Sequence, residues 1–587
     1  MSVRARRIGS LLVVAAGVFS VTGCTQVKEL QQVFAHRPSE DMPAYKQVDV
    51  VMHDQHWSAN QRAWFYHTPQ GTELLPYKWY LALEQPKVRL FGTVPKFSDP
   101  AYLARFGFLT DAASATNPGG LPVGFAVDTV VDPFSGEKVE VVGLTCAACH
   151  TGQLDYQGKG VRIDGGTAGA DLASFQTELG YAVAFTDKIP FRFDRFARAV
   201  LGENASSEDK KKLKTDFEKV LNAGLAESDA ATKGNLYASM GGFGRTDALG
   251  RIGNYVFGTE LDNANLRVAD APVKFPPLWY TSWFDWVQYN ASIQQPMVRN
   301  IGEALGVRAR VNLVDPGKLY QSTVNVSNIW KMEEQLAGPT AFEGLKPPAW
   351  PSEVFGAIDQ AKAQKGAVLY KQRCERCHMP EVKSAEIQDN QYWEAGLAGK
   401  RFLKLNVVPL EVIGTDPREA TNWAQRTAVT DKLGLGTVAA TDGLRVVTTK
   451  IRDINYDAMK LTPEQRMEWN GYRADGVAAP LGYRARPLEG LWATPPFLHN
   501  GSVPNLYQLL LPADQRDKTF YVGSREFDPQ HVGFTTAKFD GGFLFDTSVA
   551  GNSNAGHEFR NGTGKGVIGP ELSDEERWAI IEYLKTM

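Results

Sequence analysis

Leu144-Thr-Cys-Ala-Ala-Cys-His-Thr151 constrains this chain more than any other stretch. Cys146 and Cys149 stand three apart, with His150 immediately after. The pattern returns at Cys374-Glu-Arg-Cys377-His378. Two thiols on one helical turn can meet the two vinyl groups of one porphyrin, and the histidine that follows then lies under the ring with a nitrogen for the iron. With 5 cysteines and 9 histidines in 587 residues, a chance C-x-x-C-H is expected on the order of once in a thousand such chains. Here there are two. The competing readings are a disulfide, a redox dithiol or half of a zinc site. A zinc site wants two C-x-x-C pairs in one domain, and Cys146 and Cys374 lie far apart. The motifs predict two covalently bound haems c, with His150 and His378 as iron ligands.

The N-terminus agrees with that chemistry, because haem c is attached outside the cytoplasm. Met-Ser-Val-Arg-Ala-Arg-Arg leads into an apolar run from Ile8 to Val21, too short to span a bilayer and suited to an export signal. Val21-Thr-Gly-Cys24 is similar to a bacterial lipobox. Residues 1–23 are therefore expected to be a lipoprotein signal peptide, and Cys24 a lipidated N-terminus. The expected location is the outer membrane, facing periplasm or cell surface, with the membrane engaged through the anchor only. A formal net charge of −3 gives no basic surplus for nucleic acid.

Three further segments are expected: a tether and extension over 24–90, a first haem domain over 91–340 and a second over 341–587. The extension carries His36, His53, His56 and His67 without trustworthy metal-ligand spacing. Thr129 to Val142, around Pro133 and Gly136, reads as a hairpin. Ser206 to Ala226 reads as a charged helix. Arg245 is a candidate for a haem propionate, with a structural ion pair to Asp247 or another acid as the alternative. Trp279, Trp283 and Trp286 fall at i, i+4 and i+7, one face of a helix, either core or an apolar wall over an open haem. Phe284 joins them as a candidate. A helix is expected from Pro296 to Leu305, where Glu303 is the carboxylate best placed for general acid–base work beside an oxygen ligand.

The Pro-rich stretch 337–352 reads as a linker. Ser352 is read as the cap of a helix that runs through Ala361–Tyr370 straight into Cys374. Ser573-Asp-Glu-Glu576 is a capping box opening a terminal helix with Trp578, Ile581 and Leu584 on its buried face. For the second ligand of the second haem, His499 on a Pro-rich loop leads, ahead of Met379, His531 and His557. Met379 abuts His378 and cannot reach the opposite face of the same ring.

Leu121-Pro-Val-Gly-Phe, Cys146-Ala-Ala-Cys-His-Thr-Gly-Gln153, Arg162-Ile-Asp-Gly-Gly166, Trp492-Ala-Thr-Pro-Pro-Phe-Leu-His-Asn-Gly-Ser-Val-Pro504 and Gly551-Asn-Ser-Asn-Ala-Gly-His-Glu-Phe559 resemble the dihaem rubber oxygenases. Those enzymes are distant relatives of bacterial dihaem cytochrome c peroxidases. The resemblance implies that His150 serves an active haem open to dioxygen, that His378 with His499 closes the second, and that Trp279 to Trp286 supply part of the distal wall. Gln294 and Glu303 match the peroxidases' glutamine and glutamate only loosely.

The fold expected is mainly α with long loops and few short strands, in two cytochrome c-like haem domains. The expected function is an exported oxidoreductase whose open haem activates dioxygen or peroxide while a bis-histidine haem relays or stores electrons. An apolar organic substrate and a small redox protein are candidate partners. The competing class is an electron-transfer cytochrome with both haems closed and no substrate of its own.

Overall fold

The computed structural model describes residues 45–87 and 93–587. Cys24 and the rest of the signal-peptide reading lie outside the described residues, as does His36. No helix among the described residues is long and apolar enough to cross a membrane.

The chain is 40% helix and 16% strand, a mixed α/β fold rather than the mainly α one expected. The strands arise where long connections pair with themselves or with distant segments. β1 (Asp49–Met52) runs parallel to a strand 110 positions later, so the N-terminal extension is built into a sheet. β2 (Phe125–Val131) and β3 (Lys138–Leu144) form the expected hairpin, its turn passing through Gly136 at φ 81°. β4 (Thr151–Tyr156) leaves the first haem motif and pairs antiparallel with β5 (Lys159–Asp164), which also carries β1. The first motif is thus held between two sheets, not after a helix.

The helices follow their caps. α1 (Ser207–Lys233) starts at a Ser206 capping box and packs only Leu213, Phe217 and Leu221 inward. α2 (Pro296–Gly306) has Gln295 as its N-cap and buries most of its length; α3 (Val326–Ala337) packs beside it. α4 (Gln360–Arg373) is capped by Asp359, not Ser352, whose own helix is one turn long. α5 (Asp574–Thr586) opens on the expected Ser573 box. α4 and α5 cross so closely that a Cβ on Gly366 would stand 2.0 Å from Ala579 O. Only glycine fits there.

One apolar core joins both halves: Leu154, Ile163 and Trp279 pack with Trp492, Phe497 and Ile580. The Pro-rich stretch 337–352 runs across it and is tied down. Lys346 N donates to Gln55 O, Trp492 Nε1 to Pro348 O, and Leu345 is buried against Trp57 and Phe65. It is packed structure rather than a free linker.

Candidate haem sites

Thr145 caps a tight turn over Cys146–Ala148, its hydroxyl accepting from Ala147 N, and this turn presents both thiols and His150 together. The cysteines are unpaired thiols. Burial pushes the Cys146 thiol up to about 12 and Cys149 higher still, so neither is a thiolate. His150 Nδ1 lies 2.8 Å from Pro276 O, which fixes the ring and leaves Nε2 for a metal. Burial lowers its pKa to about 4, keeping it neutral and able to coordinate.

His150 lines an open cavity whose envelope, solvent at its mouth included, is about 590 Å³. α2 and α3 contribute Arg299, Glu303 and Met332 to its lining, and Gln288 and Arg484 line it too. Gln288 Nε2 donates to Glu303 Oε1 at 2.8 Å, and desolvation raises the Glu303 pKa above the usual carboxylate range. Arg299 is paired with Glu333. Met332 Sδ is 3.8 Å from Cys146 Sγ, at the edge where that cysteine would tie a porphyrin. Among the described residues that line this cavity, His150 is the only imidazole.

The tryptophans do not share a helical face. Pro276 and Pro277 block a helix, and Tyr280 and Gln288 adopt φ of 64° and 67°, leaving one short turn at Thr281–Trp283. Trp279 Nε1 donates to Glu489 O in the shared core, Trp283 Nε1 to Ala337 O, and Phe284 lies under the Arg484 and Arg486 guanidiniums. From this stretch it is Pro276, Pro277, Leu278, Thr281, Val287 and Gln288 that line the cavity. Gln294, the glutamine considered from sequence, packs instead against Gly476.

At the second motif α4 runs into Cys374, and His378 Nδ1 lies 2.8 Å from Arg486 O, as His150 does from Pro276 O. The match extends further. Pro276–Gln295 and Arg486–Asn505 repeat the same landmarks at a constant offset of 210 residues. Left-handed residues recur at Tyr280 and Gly490, Gln288 and Leu498, Ala291 and Gly501. Short turns recur at Thr281–Trp283 and Leu491–Ala493, and one-pair bridges at Val287–Ile293 and Phe497–Val503. Gln295 and Asn505 each cap the helix that follows. Tyr289 and His499 are equivalent in the two copies, and their rings meet 6.1 Å apart.

His499 accordingly belongs to that junction. Its ring stacks on Tyr483 at 4.0 Å, within reach of the Asp416 backbone, and burial takes its pKa down to about 3. The imidazole facing His378 is His557, with ring centroids 6.1 Å apart and planes at 66°. Two metal–imidazole bonds of about 2 Å each, plus the step from nitrogen to ring centre at both ends, span roughly that distance. His557 Nδ1 is buried without a partner, which fits a residue meant to meet a metal.

The loop bearing His557 is fixed, not loose. Arg516 donates to five carbonyls, those of Leu509, Leu511, Asn554, Gly556 and His557. His557 N donates to Ile413 O, and Gly556 at φ 73° brings its α-carbon where a Cβ would lie 2.3 Å from Gly414 C. Asn500 and Ser502 hold the same loop through Gly551 O and Ser553 O. His531 instead pairs with Asp528, and His67 bridges Phe125 O and Asp111.

Arg245 does not pair with Asp247, whose oxygens accept from Gly250 N and Ala271 N. It is buried, bonds Asn552 Oδ1 at 2.6 Å and Pro272 O, and leaves Nε and Nη1 without partners. Burial lowers its pKa to about 9. Two orphaned donors on a buried cation suit an anion such as a propionate.

Over 604 residues the chain is 47% identical to the uncharacterized protein y4iJ of Sinorhizobium fredii (strain NBRC 101917 / NGR234), covering 99% of this chain and 98% of that one. This chain belongs to the y4iJ family. A second protein of that strain, uncharacterized y4iM, is 26% identical over 330 residues, 53% of this chain and 63% of that one. Residues 482–521, which contain the whole second copy of the repeated loop, match the RoxA-like, cytochrome c-like family. That match supports the resemblance to the rubber oxygenases and implies covalently bound haem c.

Proposed function

We propose that this y4iJ-family protein is an exported haem c oxidoreductase with two haems of different accessibility. Cys146 and Cys149 would hold the first, with His150 as ligand; Cys374 and Cys377 would hold the second, between His378 and His557. When bound, haem c supplies an iron that exchanges electrons and, where a coordination position is open, can react with dioxygen or peroxide. The observation that carries the reading is the asymmetry: an imidazole stands 6.1 Å from His378, while the cavity beside His150 offers no second one.

The residues opposite His150 favour peroxide over an apolar alkene as the molecule that enters. Glu303, whose pKa burial raises above the ordinary carboxylate range, is the carboxyl in this lining that could hold a proton for general acid work. Gln288 orients that carboxyl, the Arg299–Glu333 pair fixes one side of the cavity, and Arg484 lines it with Nη1 unpartnered. At the second site the two histidines exclude small ligands, which suits relaying or storing electrons. Lipid anchoring at Cys24, with the outer membrane facing periplasm or cell surface, is part of the proposal and rests on the lipobox-like sequence.

Optical and EPR spectra of the purified protein, before and after peroxide and carbon monoxide, test it. One high-spin, ligand-accepting haem beside one low-spin bis-histidine haem is the expected result. Two low-spin haems that ignore both ligands would leave an electron carrier instead.

A further inference from the structure

A second cavity, lined by other residues than the one beside His150, lies behind the first haem motif, and the proposal built on it is independent of the haem reading. It is an open cleft whose envelope, solvent at its mouth included, is about 640 Å³, similar to that beside His150. Segments far apart in sequence enclose it, with Leu109, Phe243, Pro496, Phe520 and Phe534 giving it an apolar wall. Its back is the strand-to-loop segment Thr167–Gly169, tied to the first motif by Ala168 N donating to Cys149 O.

One cation stands in this apolar wall. Arg525 donates through Nη2 to Gly107 O and Phe108 O at 3.1 Å, and its guanidinium lies 3.8 Å from the centre of the Tyr45 ring. Tyr45 is itself fixed by a 2.7 Å bond to Gly523 O. No carboxylate among the described residues forms an ion pair with Arg525. Asp155, the acid whose charge acts on it most, is engaged by Gln153 Nε2 at 2.7 Å. Desolvation holds the Arg525 pKa below its ordinary value, as expected of a cation short of a counter-ion. An arginine with unspent fork geometry at the end of an apolar cavity is complementary to a carboxylate carried on an apolar body.

We propose that this cavity is a binding site for an amphiphilic carboxylate, with the carboxylate on Arg525 and its aliphatic chain against Phe243, Phe520 and Phe534. The site is separate from the haem cavities, and its occupant would lie one backbone layer behind Cys149.

Isothermal titration of dodecanoate into the intact holoprotein tests it, with dodecanol and dodecyltrimethylammonium as comparators. Dodecanoate is expected to bind at one site per chain, with the alcohol and the ammonium at least about tenfold weaker. Arg525→Gln should weaken dodecanoate by about tenfold or more, and Arg525→Lys by less. Gly169→Trp, at a wall position where an added Cβ meets no atom within 4 Å, should block the cavity while leaving Arg525 and the haem spectra unchanged. Absence of binding, equal affinity for the three chains, or binding that survives both Arg525→Gln and Gly169→Trp would overturn the proposal.

Discussion

His499→Phe separates a ligand from a buried structural base. The substitution keeps an aromatic ring on Tyr483 and removes the titrating nitrogens. In the folded chain His499 has a pKa lowered from 6.5 to about 3, by desolvation first and then by the Arg245 charge. The folded state therefore binds the proton less well than the unfolded one. Stability from this residue is fully present above pH 6.5 and is lost as pH falls toward 3. At 1.36 kcal/mol per pKa unit, the loss between pH 7 and pH 5 is about 2 kcal/mol, and over the whole window about 5 kcal/mol. Loss of the contact with the Asp416 backbone costs the variant about 1 kcal/mol at every pH, which changes the level and not the slope. Urea unfolding at the two pH values, followed by tryptophan fluorescence, should show wild type losing about 2 kcal/mol more than His499→Phe. The haem spectra of the two proteins should be the same. Parallel pH dependence would refute the buried-base argument. A low-spin haem turned high-spin by this substitution would return His499 to the ligand role expected from sequence.

His557→Ala should convert the second haem to a high-spin, ligand-accepting form, and added imidazole should restore the low-spin EPR signal. Gly556→Ala should do part of the same without touching a histidine: the left-handed backbone alone costs about 1–2 kcal/mol, and the new Cβ collides with Gly414. Glu303→Gln should lower peroxide-dependent turnover by about 10²–10⁴-fold. In wild type that turnover should fall as pH climbs through the raised Glu303 pKa, because the protonated acid is lost, and the variant should lack this limb. A pyridine haemochrome assay should find two haems per chain, and one after paired replacement of Cys374 and Cys377 by alanine.

What sequence disclosed was local. Covalent attachment needs three residues within five positions, so both haem motifs were legible, as were the Ser206 and Ser573 boxes and the hairpin around Gly136. The tryptophan spacing misled because i, i+4, i+7 also occurs in an irregular segment; Pro276-Pro277 was the signal against a helix. His557 was passed over because its Gly- and Asn-rich surroundings read as flexible. Their glycines instead permit close backbone contact with Gly414, and Arg516, 41 positions earlier, supplies the rigidity. The apposition of His557 and His378 is a tertiary fact with no local pattern. The duplicated loop escaped notice because the copies share few identities, notably Leu278 with Leu488, Asn290 with Asn500 and Ser292 with Ser502. It is the left-handed positions that match, and four of the six are not glycine.

That duplication locates the cause of the asymmetry. Both copies give a backbone carbonyl to a proximal histidine, so both orient Nε2 in the same way. Nothing inside the repeat makes one site open and the other closed. The difference enters from what each copy's Asn-x-Ser segment holds. Asn500 and Ser502 bind the loop that carries His557, whereas the Asn290 and Ser292 side chains are fully buried without partners. Where the second copy holds a ligand-bearing loop, the first is followed by α2, which brings Glu303 and Arg299 to the cavity. On the proposed reading, openness at His150 would follow from the lack of an imidazole in the lining that α2 and α3 contribute to. A substitution on α2 that supplies an imidazole, such as Glu303→His, should close the first haem to carbon monoxide while leaving the second unchanged.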